Sequence, residues 1–519
     1  MLQFAAIDTP TDSVLGTVDL VIVAVYLLVM LVIGVWVGRG QKSTKDYFLG
    51  DKSLPWWAVL LSIVATETSS VTFVSIPGMA FAAGGDLRFL QITFGFIIGR
   101  MVVVAILLPL YFRGEPFTAY EVLQRRFGKL SRRATSLLFL VTRTLADALR
   151  LYLSALVLQT AMGINMATCI IVMGVVTIAY TYIGGVKSVI WNDCVQFVIY
   201  IIGAIAAFYE IIHLLPGGWE QFQSFGEAND KFRVFDFELS LFKPTMTFWA
   251  GLIGGAFLTA ATHGTDQMTV QRLLTARSQR GAAVALILSG FIVCLQFALF
   301  LLIGVGLAAY FAEFPDQQRF ETNDRAFAYF IVNFLRPGLV GITLAAVFSA
   351  GMSTLSGSLN SSATALVSDF IIPLRRTPMS ESAQLRISRI ATGMFGMLQI
   401  SIALLSYWQG ADQSVVEQVL TIAAFTSGPM LGLYLTAVLT PRVNERAALT
   451  AFFIGLLGLA FVQFSTGKYW PLPFSWPWKP IYFPWYAVIG SLSTFSLGWL
   501  LSFTPINDAP VNDASSPSA

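Results

Sequence analysis

Residues Phe348 to Asp369 read FSAGMSTLSGSLNSSATALVSD. This stretch lies inside an apolar span, yet it contains seven serines, two threonines and an asparagine. In a lipid-buried helix, small hydroxyl residues offer oxygen ligands and close backbone approach without the cost of a full charge. A second polar stretch, SIVATETSSVTFVSIPG from Ser62 to Gly78, interrupts an earlier span. One such stretch in each half of the chain predicts a secondary transporter with a small cation at its centre.

The composition predicts a membrane protein that crosses the bilayer many times. Of the 519 residues, 56% are hydrophobic and only 12% are charged, whereas soluble domains average about 25% charged residues. The net charge of +3 gives no reason to expect a nucleic-acid partner. The three cysteines lie in apolar segments, so no disulfide framework is expected. The two histidines lie far from any cysteine, and neither HExxH nor GxSxG occurs, so we expect no catalytic residues and no enzyme.

Apolar runs predict about 13 transmembrane helices in an all-α membrane protein. The predicted spans are 18–38, 56–84, 89–112, 134–161, 164–184, 189–215, 246–275, 282–311, 338–368, 388–408, 414–440, 447–466 and 484–503. Residues 18–503 are thus predicted to form a single transmembrane transporter domain. Residues 1–17 form an extracellular N-terminus, and the polar residues 504–519 form a disordered cytoplasmic tail.

Basic residues predict the orientation of these spans. Twenty of the 32 lysines and arginines fall in one alternate set of loops, and eight fall in the opposite set. The basic loops are 39–55, 113–133, 185–188, 272–281, 369–389 and 441–446. The N-terminus is therefore predicted outside and the C-terminus in the cytoplasm. The plasma membrane is the predicted location, and a bacterial inner membrane is favoured.

Two spans carry signals of a broken helix. The second span contains Pro77-Gly78 after its run of Ser and Thr, and proline removes a backbone donor. The seventh span contains GGAFLTAATHGTDQ, residues 254–267. Helices break within the bilayer only where they line a cavity or are buried in protein. The spacing of five spans predicts two inverted repeats of five helices, at about 56–215 and 246–440.

A hard monovalent cation prefers oxygen ligands, and the hydroxyl-rich stretch from Phe348 to Asp369 could supply them. The hydroxyls of Ser353 and Thr354 are adjacent, and the carbonyl of Ala350 lies one turn earlier. All three could converge on one cation. The alternative is that these hydroxyls only bond to carbonyls of the preceding turn or help helices to pack.

Four separated motifs resemble the sodium:solute symporter family, which includes sodium-coupled sugar, proline, sialic acid, iodide and vitamin transporters. The motifs are LSIVATETSSVTFVSIPG, YIGGVKSVIWNDCVQ, GTDQMTVQRLLTARS and AAVFSAGMSTLSGSLNSSATALVSDF, in that order. The resemblance runs from about residue 18 to residue 465. It implies a LeuT-type 5+5 inverted-repeat core with broken helices, alternating access and uptake of a small solute driven by co-transported Na⁺.

The resemblance also implies a set of sodium ligands. The central sodium site of the family corresponds to the carbonyls of Ala65, Thr68 and Ala350 and to the hydroxyls of Ser353 and Thr354. Asp193 matches an acidic residue that several members place near the sodium exit route or a second sodium site. Its alternative role is that of an acid favouring the N-terminal end of a helix dipole. The family usually has WTD where this chain has Asn192 before Asp193.

The resemblance places the solute beside the broken helices, where polar residues are the candidate contacts. The substrate-binding candidates are Glu67, Ser69, Ser70, Thr72, Gln91, Arg143, Asp147, Arg150, Thr259, Thr262, His263, Phe425, Thr426 and Ser427. The Ser-Ser-x-Thr run and Gln91 most resemble the sialic acid branch. His263 is also considered for proton coupling, since its ordinary pKa lies near physiological pH, although hydrogen-bonded packing is the commoner role of such a residue.

The fourth span departs most from an ordinary membrane helix. Arg143, Asp147 and Arg150 are spaced i, i+4 and i+7, so they share one helix face. Charges in a span are costly unless they are paired or face a cavity. Two interpretations follow: a structural network in which Glu67 neutralises the surplus positive charge, or an anionic solute bound by a guanidinium.

The predicted function is a sodium-coupled symporter that imports a small polar solute, with carboxylate-bearing or sugar-like solutes favoured. The alternative is a proton-coupled or uncoupled transporter of the same fold. The intact Ala65, Ala350, Ser353 and Thr354 argue against that alternative.

Overall fold

The computed structural model describes residues 16–39, 41, 43–114, 116–320, 322–408, 415–465 and 479–508. Within these ranges, the side chains of residues 70, 71, 74, 157, 160–162 and 415–425 lie outside the description. The described part is helical throughout, with one isolated bridge between Leu54 and Ala276. Most of the predicted N-terminal segment and tail lie outside it, except for a short helix, Pro505–Asp508.

The helices follow the predicted spans closely. The first half contains α1 Thr17–Gly38, α2 Thr44–Leu49, α3 Trp56–Glu67, α4 Ser70–Phe81, α5 Ile92–Val102, α6 Leu108–Tyr111, α7 Glu121–Arg126, α8 Lys129–Met162, α9 Met166–Leu214 and α10 Gly218–Ala228. The second half contains α11 Gly255–Gly264, α12 Gln267–Leu274, α13 Gln279–Glu313, α14 Ala326–Phe334, α15 Leu339–Ala365, α16 Ile372–Leu374, α17 Glu381–Trp408, α18 Val415–Leu439, α19 Glu445–Phe464, α20 Pro484–Leu501 and α21 Pro505–Asp508.

Seven segments of the described chain are long and apolar enough to cross a membrane on length and composition. They are Thr17–Gly38, Arg88–Tyr111, Met166–Leu214, Gln279–Glu313, Leu339–Leu374, Glu381–Trp408 and Glu445–Phe464. The broken spans are shorter pieces and fail this length test individually. The figure of thirteen spans stays a prediction.

The first broken helix consists of α3 and α4. Thr68 leaves the helix (φ −84°, ψ 92°) and Ser69 is extended (φ −84°, ψ 167°). The hydroxyl of Ser69 then accepts a hydrogen bond from the backbone N–H of Thr72 at 3.4 Å, which caps α4. The helix therefore breaks at Thr68 and Ser69, several residues before the Pro77-Gly78 pair at which the sequence predicted the break. Pro77 lies inside α4 without ending it.

The second broken helix consists of α11 and α12, preceded by a π-helical turn at Ala250–Gly254. Thr265 and Asp266 leave the helix between the two parts. The Asp266 side chain accepts from the backbone N–H of Met268 at 2.8 Å and caps α12. A carboxylate at this position also favours the positive end of the α12 dipole. Both predicted breaks thus exist in the structure.

The fifth and sixth predicted spans correspond to α9, in which two helices meet at a sharp kink at Gly185. The kink lies within the predicted loop 185–188. Gly185 has φ 54° and ψ −154°, and a Cβ atom there would lie 2.6 Å from the carbonyl oxygen of Tyr47. Only glycine satisfies both conditions without strain. Lys187, two residues later, pairs with Asp46 of α2 at 2.6 Å.

The hydroxyl-rich stretch forms the buried centre of the molecule. It lies in α15, which packs against α1, α8, α9 and α17. Glycines allow the close approach, because a Cβ at Gly351 would lie 2.8 Å from the hydroxyl oxygen of Ser154 on α8. Lipid cannot satisfy polar groups, so a polar helix of this kind is stable only when protein surrounds it.

Candidate functional site

The two broken helices line a cavity of about 280 Å³ together with α8 and α18, and its wall combines polar and apolar side chains. Ligand pockets range from about 300 to 1,000 Å³, so this volume suits a small solute. Ten predicted contacts line it: Glu67, Ser69, Thr72, Arg143, Arg150, Thr259, Thr262, His263, Thr426 and Ser427. Four distant parts of the sequence therefore meet at one site.

Four predicted contacts are not among the lining side chains. Gln91 is fully buried elsewhere: its amide donates to the carbonyls of Arg88 and Met246 and accepts from the N–H of Asp236. Since protein groups already satisfy this amide, it has no need of a solute. Asp147 is buried behind the two arginines. The side chains of Ser70 and Phe425 lie outside the described residues.

Sequence reasoning missed several residues of the cavity wall. They include Phe96, Tyr120, Phe139, Thr142, Asp266, Thr269, Arg272, Met430 and Phe483. Phe139 and Thr142 could have been found, because they precede Arg143 and Arg150 on the same side of one helix. Tyr120 and Arg272 carry no such local signal, and only the fold brings them to the cavity.

One end of the cavity wall carries a cluster of Glu67, Arg100 and His263. The Glu67 carboxylate at the end of α3 pairs with the guanidinium of Arg100, which is fully buried in α5. Nε2 of His263 on α11 lies 3.5 Å from the same carboxylate oxygen and 3.3 Å from Arg100. Nδ1 of His263 lies 3.1 Å from the hydroxyl of Thr262. Glu67 therefore neutralises Arg100 rather than Arg143 or Arg150.

The face of α8 carries the second charged cluster, Arg143, Asp147 and Arg150. The two oxygens of the buried Asp147 are divided between Nε of Arg143 at 2.6 Å and Nη1 of Arg150 at 2.5 Å. Arg143 also approaches Asp266 at 3.6 Å and the sulfur of Met268 at 2.8 Å. Arg150 contacts Asp147 through a single nitrogen, so one carboxylate serves two guanidinium groups.

A third cluster joins α3, α9, α12 and α15. The Asp193 carboxylate, fully buried in α9, accepts from Ser62 at 2.5 Å, from Ser353 at 2.6 Å and from Arg272 at 3.2 Å. A Cβ at Gly357 would lie 2.3 Å from Nη2 of Arg272, so a side chain there would require this guanidinium to shift. A protein cation thus already neutralises the one acidic residue proposed near sodium.

The five other predicted sodium ligands lie at the end of α3 and in the middle of α15, two helices that contact each other through Thr66 and Thr354. Ala65, Thr68, Ala350, Ser353 and Thr354 are all buried. The hydroxyl of Thr354 donates to the carbonyl of Thr66 at 3.1 Å, and it lies 3.3 Å from that of Ala350. The last carbonyls of α3 lose their helical partners at the break. The chemistry is that of neutral oxygens, which suits a hard monovalent cation.

Neighbouring hydroxyls on α15 behave differently. The hydroxyls of Ser356 and Ser361 donate to carbonyls three residues earlier on their own helix. Thr364 donates to a carbonyl four residues earlier and also accepts from Gln271 of α12. Ser353 instead reaches α9 and Thr354 reaches α3. The packing alternative for this stretch therefore holds for some of its hydroxyls, while these two connect helices at the break.

The chain is similar in sequence and in structure to sodium-coupled symporters. The sodium/sialic acid symporter NanT of Aliivibrio fischeri is 29% identical over 93% of each chain. The sodium-coupled monocarboxylate transporter 2 of Bos taurus is 28% identical over 88% of this chain and 75% of that protein. A solved Na⁺-coupled sialic acid symporter, in a substrate-bound outward-open state, superposes with a TM-score of 0.83 at 26% identity, over 94% of this chain and 98% of that one.

Two helices broken beside a cavity with polar side chains in its wall define a secondary transporter. The model of the sodium:solute symporter family matches residues 47–455, and this chain belongs to that family. It is a multi-pass membrane protein with the LeuT-type fold, and it couples the symport of a small solute to Na⁺. The alternative of a proton-coupled or uncoupled transporter is set aside, and the protein is not an enzyme.

Proposed function

We propose that this symporter imports a carboxylate-bearing solute and that Arg150 is the main contact of the carboxylate. The observation that carries the proposal is the incomplete pairing of Arg150. Only its Nη1 bonds to Asp147, and among the described residues its Nε and Nη2 have no partner. Nε and Nη2 lie on one edge of the planar guanidinium, which suits bidentate binding of a carboxylate.

Charge on the cavity wall supports the same substrate class. Arg143 and Arg150 share Asp147, while Glu67 is engaged by Arg100. A guanidinium whose side chain is only 17% exposed, like that of Arg150, is costly unless an anion completes its pairing. The relatives named above transport sialic acid and monocarboxylates, and both are carboxylates.

The test is sodium-driven uptake into proteoliposomes, with an acidic and a neutral solute library as competitors. We expect acidic solutes to compete and Arg150→Gln to weaken their binding by about 10- to 100-fold, the usual worth of a charge-assisted hydrogen bond. Arg233→Gln is the matched control, because Arg233 lies in the loop after α10 with 45% of its side chain exposed. Competition by neutral solutes alone would contradict the proposal.

The sodium ion is proposed to bind the carbonyls of Ala65, Thr68 and Ala350 and the hydroxyls of Ser353 and Thr354. Buried neutral oxygens at a helix break support this site. We propose that Asp193 does not contact the ion, because its carboxylate instead accepts a hydrogen bond from the hydroxyl of Ser353, a proposed ligand. We therefore assign Asp193 a positioning role that acts through Ser353.

The protein is proposed to lie in the plasma membrane, in a bacterial inner membrane, with the N-terminus outside and the C-terminus in the cytoplasm. The excess of basic residues in one set of loops supports this orientation. Fusions at the C-terminus test it: a fluorescent reporter that folds only in the cytoplasm is expected to be active, and alkaline phosphatase inactive. The reverse pattern would invert the topology.

A further inference from the structure

Glu67 gives the cavity a second, negative pole. We infer that the solute carries, besides its carboxylate, a hydrogen-bond donor, a hydroxyl or an ammonium group, which binds to Glu67. This inference rests on the carboxylate-bearing solute proposed above and narrows it to a hydroxy acid or an amino acid.

The two oxygens of the Glu67 carboxylate have different surroundings. Oε2 contacts the guanidinium of Arg100 and approaches Nε2 of His263 at 3.5 Å. Among the described residues, Oε1 has no hydrogen-bond partner, and 18% of the side chain is exposed on the cavity wall. An acceptor oxygen is therefore available to whatever occupies the cavity.

Arg100 makes this arrangement possible without contacting the solute. It is fully buried in α5, it does not line the cavity, and its Nε and Nη1 have no hydrogen-bond partner in the described part of the chain. Replacing such a buried pair with apolar residues is often neutral or stabilising, so stability alone is a weak reason for the pair. Held from behind by Arg100, Glu67 presents a carboxylate to the cavity.

Opposite charges on two walls orient a dipolar solute. Arg150 projects from α8, whereas Glu67 ends α3, and hydroxyls of Ser69, Thr72, Thr259 and Thr262 line the cavity with them. A plain fatty acid satisfies the guanidinium but leaves the Glu67 oxygen desolvated and unpaired. Sites built to bond a polar group reject analogues that lack it, because their own buried groups lose a partner.

The experiment measures binding to purified protein in sodium by thermal stabilisation and by competition for uptake. The probes share one carbon chain: hexanoate, 2-hydroxyhexanoate, 6-hydroxyhexanoate, 2-aminohexanoate and 6-aminohexanoate. We expect at least one donor-bearing acid to bind about 10- to 100-fold more tightly than hexanoate. If a hydroxy acid binds most tightly, the group that binds to Glu67 is a hydroxyl. If an amino acid binds most tightly, it is an ammonium group.

Glu67→Gln is the informative variant, because its amide oxygen can still accept from Arg100, and the unliganded melting temperature measures the cost of the lost ion pair. Within this variant, we expect the ratio of the affinities for the donor-bearing acid and for hexanoate to fall about 10-fold or more, towards one. Glu238→Gln is the control, since Glu238 is 58% exposed in the loop after α10. Equal binding of all five acids, or an advantage that survives Glu67→Gln, overturns the inference and leaves the carboxylate proposal standing. Binding of none of them, with neutral solutes bound instead, overturns both.

Discussion

At the scale of single residues, adjacent hydroxyls have separate tasks. Ser353 and Thr354 follow one another on α15, so their side chains point about 100° apart around the helix. Ser353 reaches Asp193 on α9, and Thr354 reaches the Thr66 carbonyl on α3. The proposed sodium site is thereby connected to two neighbouring helices through consecutive residues.

Removing either hydroxyl is expected to weaken sodium binding. Ser353→Ala and Thr354→Ala each delete one proposed oxygen ligand, so we expect about tenfold more sodium for half-maximal uptake, with expression unchanged. The sodium dependence of uptake measures this directly. Ser361→Ala is the control, because the Ser361 hydroxyl bonds only within its own helix in the described structure. Unchanged sodium activation in both variants would remove these residues from the site.

Gly357 is expected to tolerate no side chain. A Cβ at this position overlaps the Arg272 guanidinium, so Gly357→Ala displaces the cation that neutralises Asp193. Breaking a buried pair costs about 3 kcal/mol or more, and we expect a clear fall in the melting temperature of the purified protein. Gly458→Ala on α19 is the control, since nothing lies within 4 Å of its added Cβ. Equal melting temperatures would contradict this account.

At the scale of helices, contacts from other elements hold the break between α3 and α4 in place. The hydroxyl of Thr68 accepts hydrogen bonds from the side-chain amide of Gln296 at 2.5 Å and from the hydroxyl of Tyr200 at 3.4 Å. The far end of α4 is held by Lys231, whose ammonium group donates to the carbonyls of Ala80 at 2.9 Å and Ala82 at 2.8 Å. A broken helix therefore behaves as a fixed element rather than a loose one.

Lys231→Met tests the importance of that cap. The substitution keeps an apolar stem but leaves the last carbonyls of α4 without a donor, at a cost of about 1–3 kcal/mol. We expect a lower melting temperature and slower uptake, with the sodium dependence unaltered. Lys479→Met is the control, because Lys479 is exposed and has no hydrogen bond or ion pair among the described residues. An unchanged melting temperature in Lys231→Met would show that water replaces the cap.

The loop that contains Lys231 also contains Asp236, an acid whose charge is stabilised by its neighbours. Burial tends to raise the pKa of Asp236, but hydrogen bonds from Lys243 and Arg88 and from the Glu238 backbone outweigh it and lower the pKa. The carboxylate therefore contributes stability above the ordinary pKa of an aspartate, and this contribution disappears as the pH falls through the lowered value. We expect Asp236→Asn to reduce the stability at pH 7 and to flatten its loss under acid, as melting curves against pH would show.

At the scale of the whole molecule, each acid beside the cavity pairs with arginine, between helices at Glu67 and Asp193 and within α8 at Asp147. Glu67 meets Arg100, Asp193 meets Arg272, and Asp147 meets two arginines. Burial in the membrane explains the pairing, because an isolated charge there is costly. Because Arg272 already neutralises the Asp193 carboxylate, this residue does not need a second sodium ion to balance its charge.

We therefore expect one sodium ion to accompany each monoanionic solute. Such a complex carries no net charge across the membrane, so uptake into proteoliposomes should not respond to a potential set by potassium and valinomycin. Each uncompensated charge would instead gain about 2.3 kcal/mol per 100 mV. For a monoanionic solute, stimulation by an inside-negative potential would show that a second sodium ion takes part.

Much of this architecture could be predicted from the sequence, for a physical reason. Lipid offers backbone and side-chain polar groups no hydrogen bonds, so a polar run in an apolar span must be surrounded by protein or line a cavity. The runs at Ser62–Gly78 and Gly254–Gln267 are those of the two broken helices, and Phe348–Asp369 lies mostly in the buried α15. Helical periodicity also placed Arg143, Asp147 and Arg150 on one face.

The partners of these residues were decided only by the tertiary structure. Periodicity tells which side chains share a face of one helix, but it cannot tell which other helix lies opposite. Arg100 and Glu67 are 33 residues apart, and Arg272 and Asp193 are 79 residues apart. Gln91 appeared suited to the cavity, yet three backbone groups satisfy it elsewhere. The sequence alone determined a sodium symporter with broken helices and the residues for its site, while packing in three dimensions selected which charges meet.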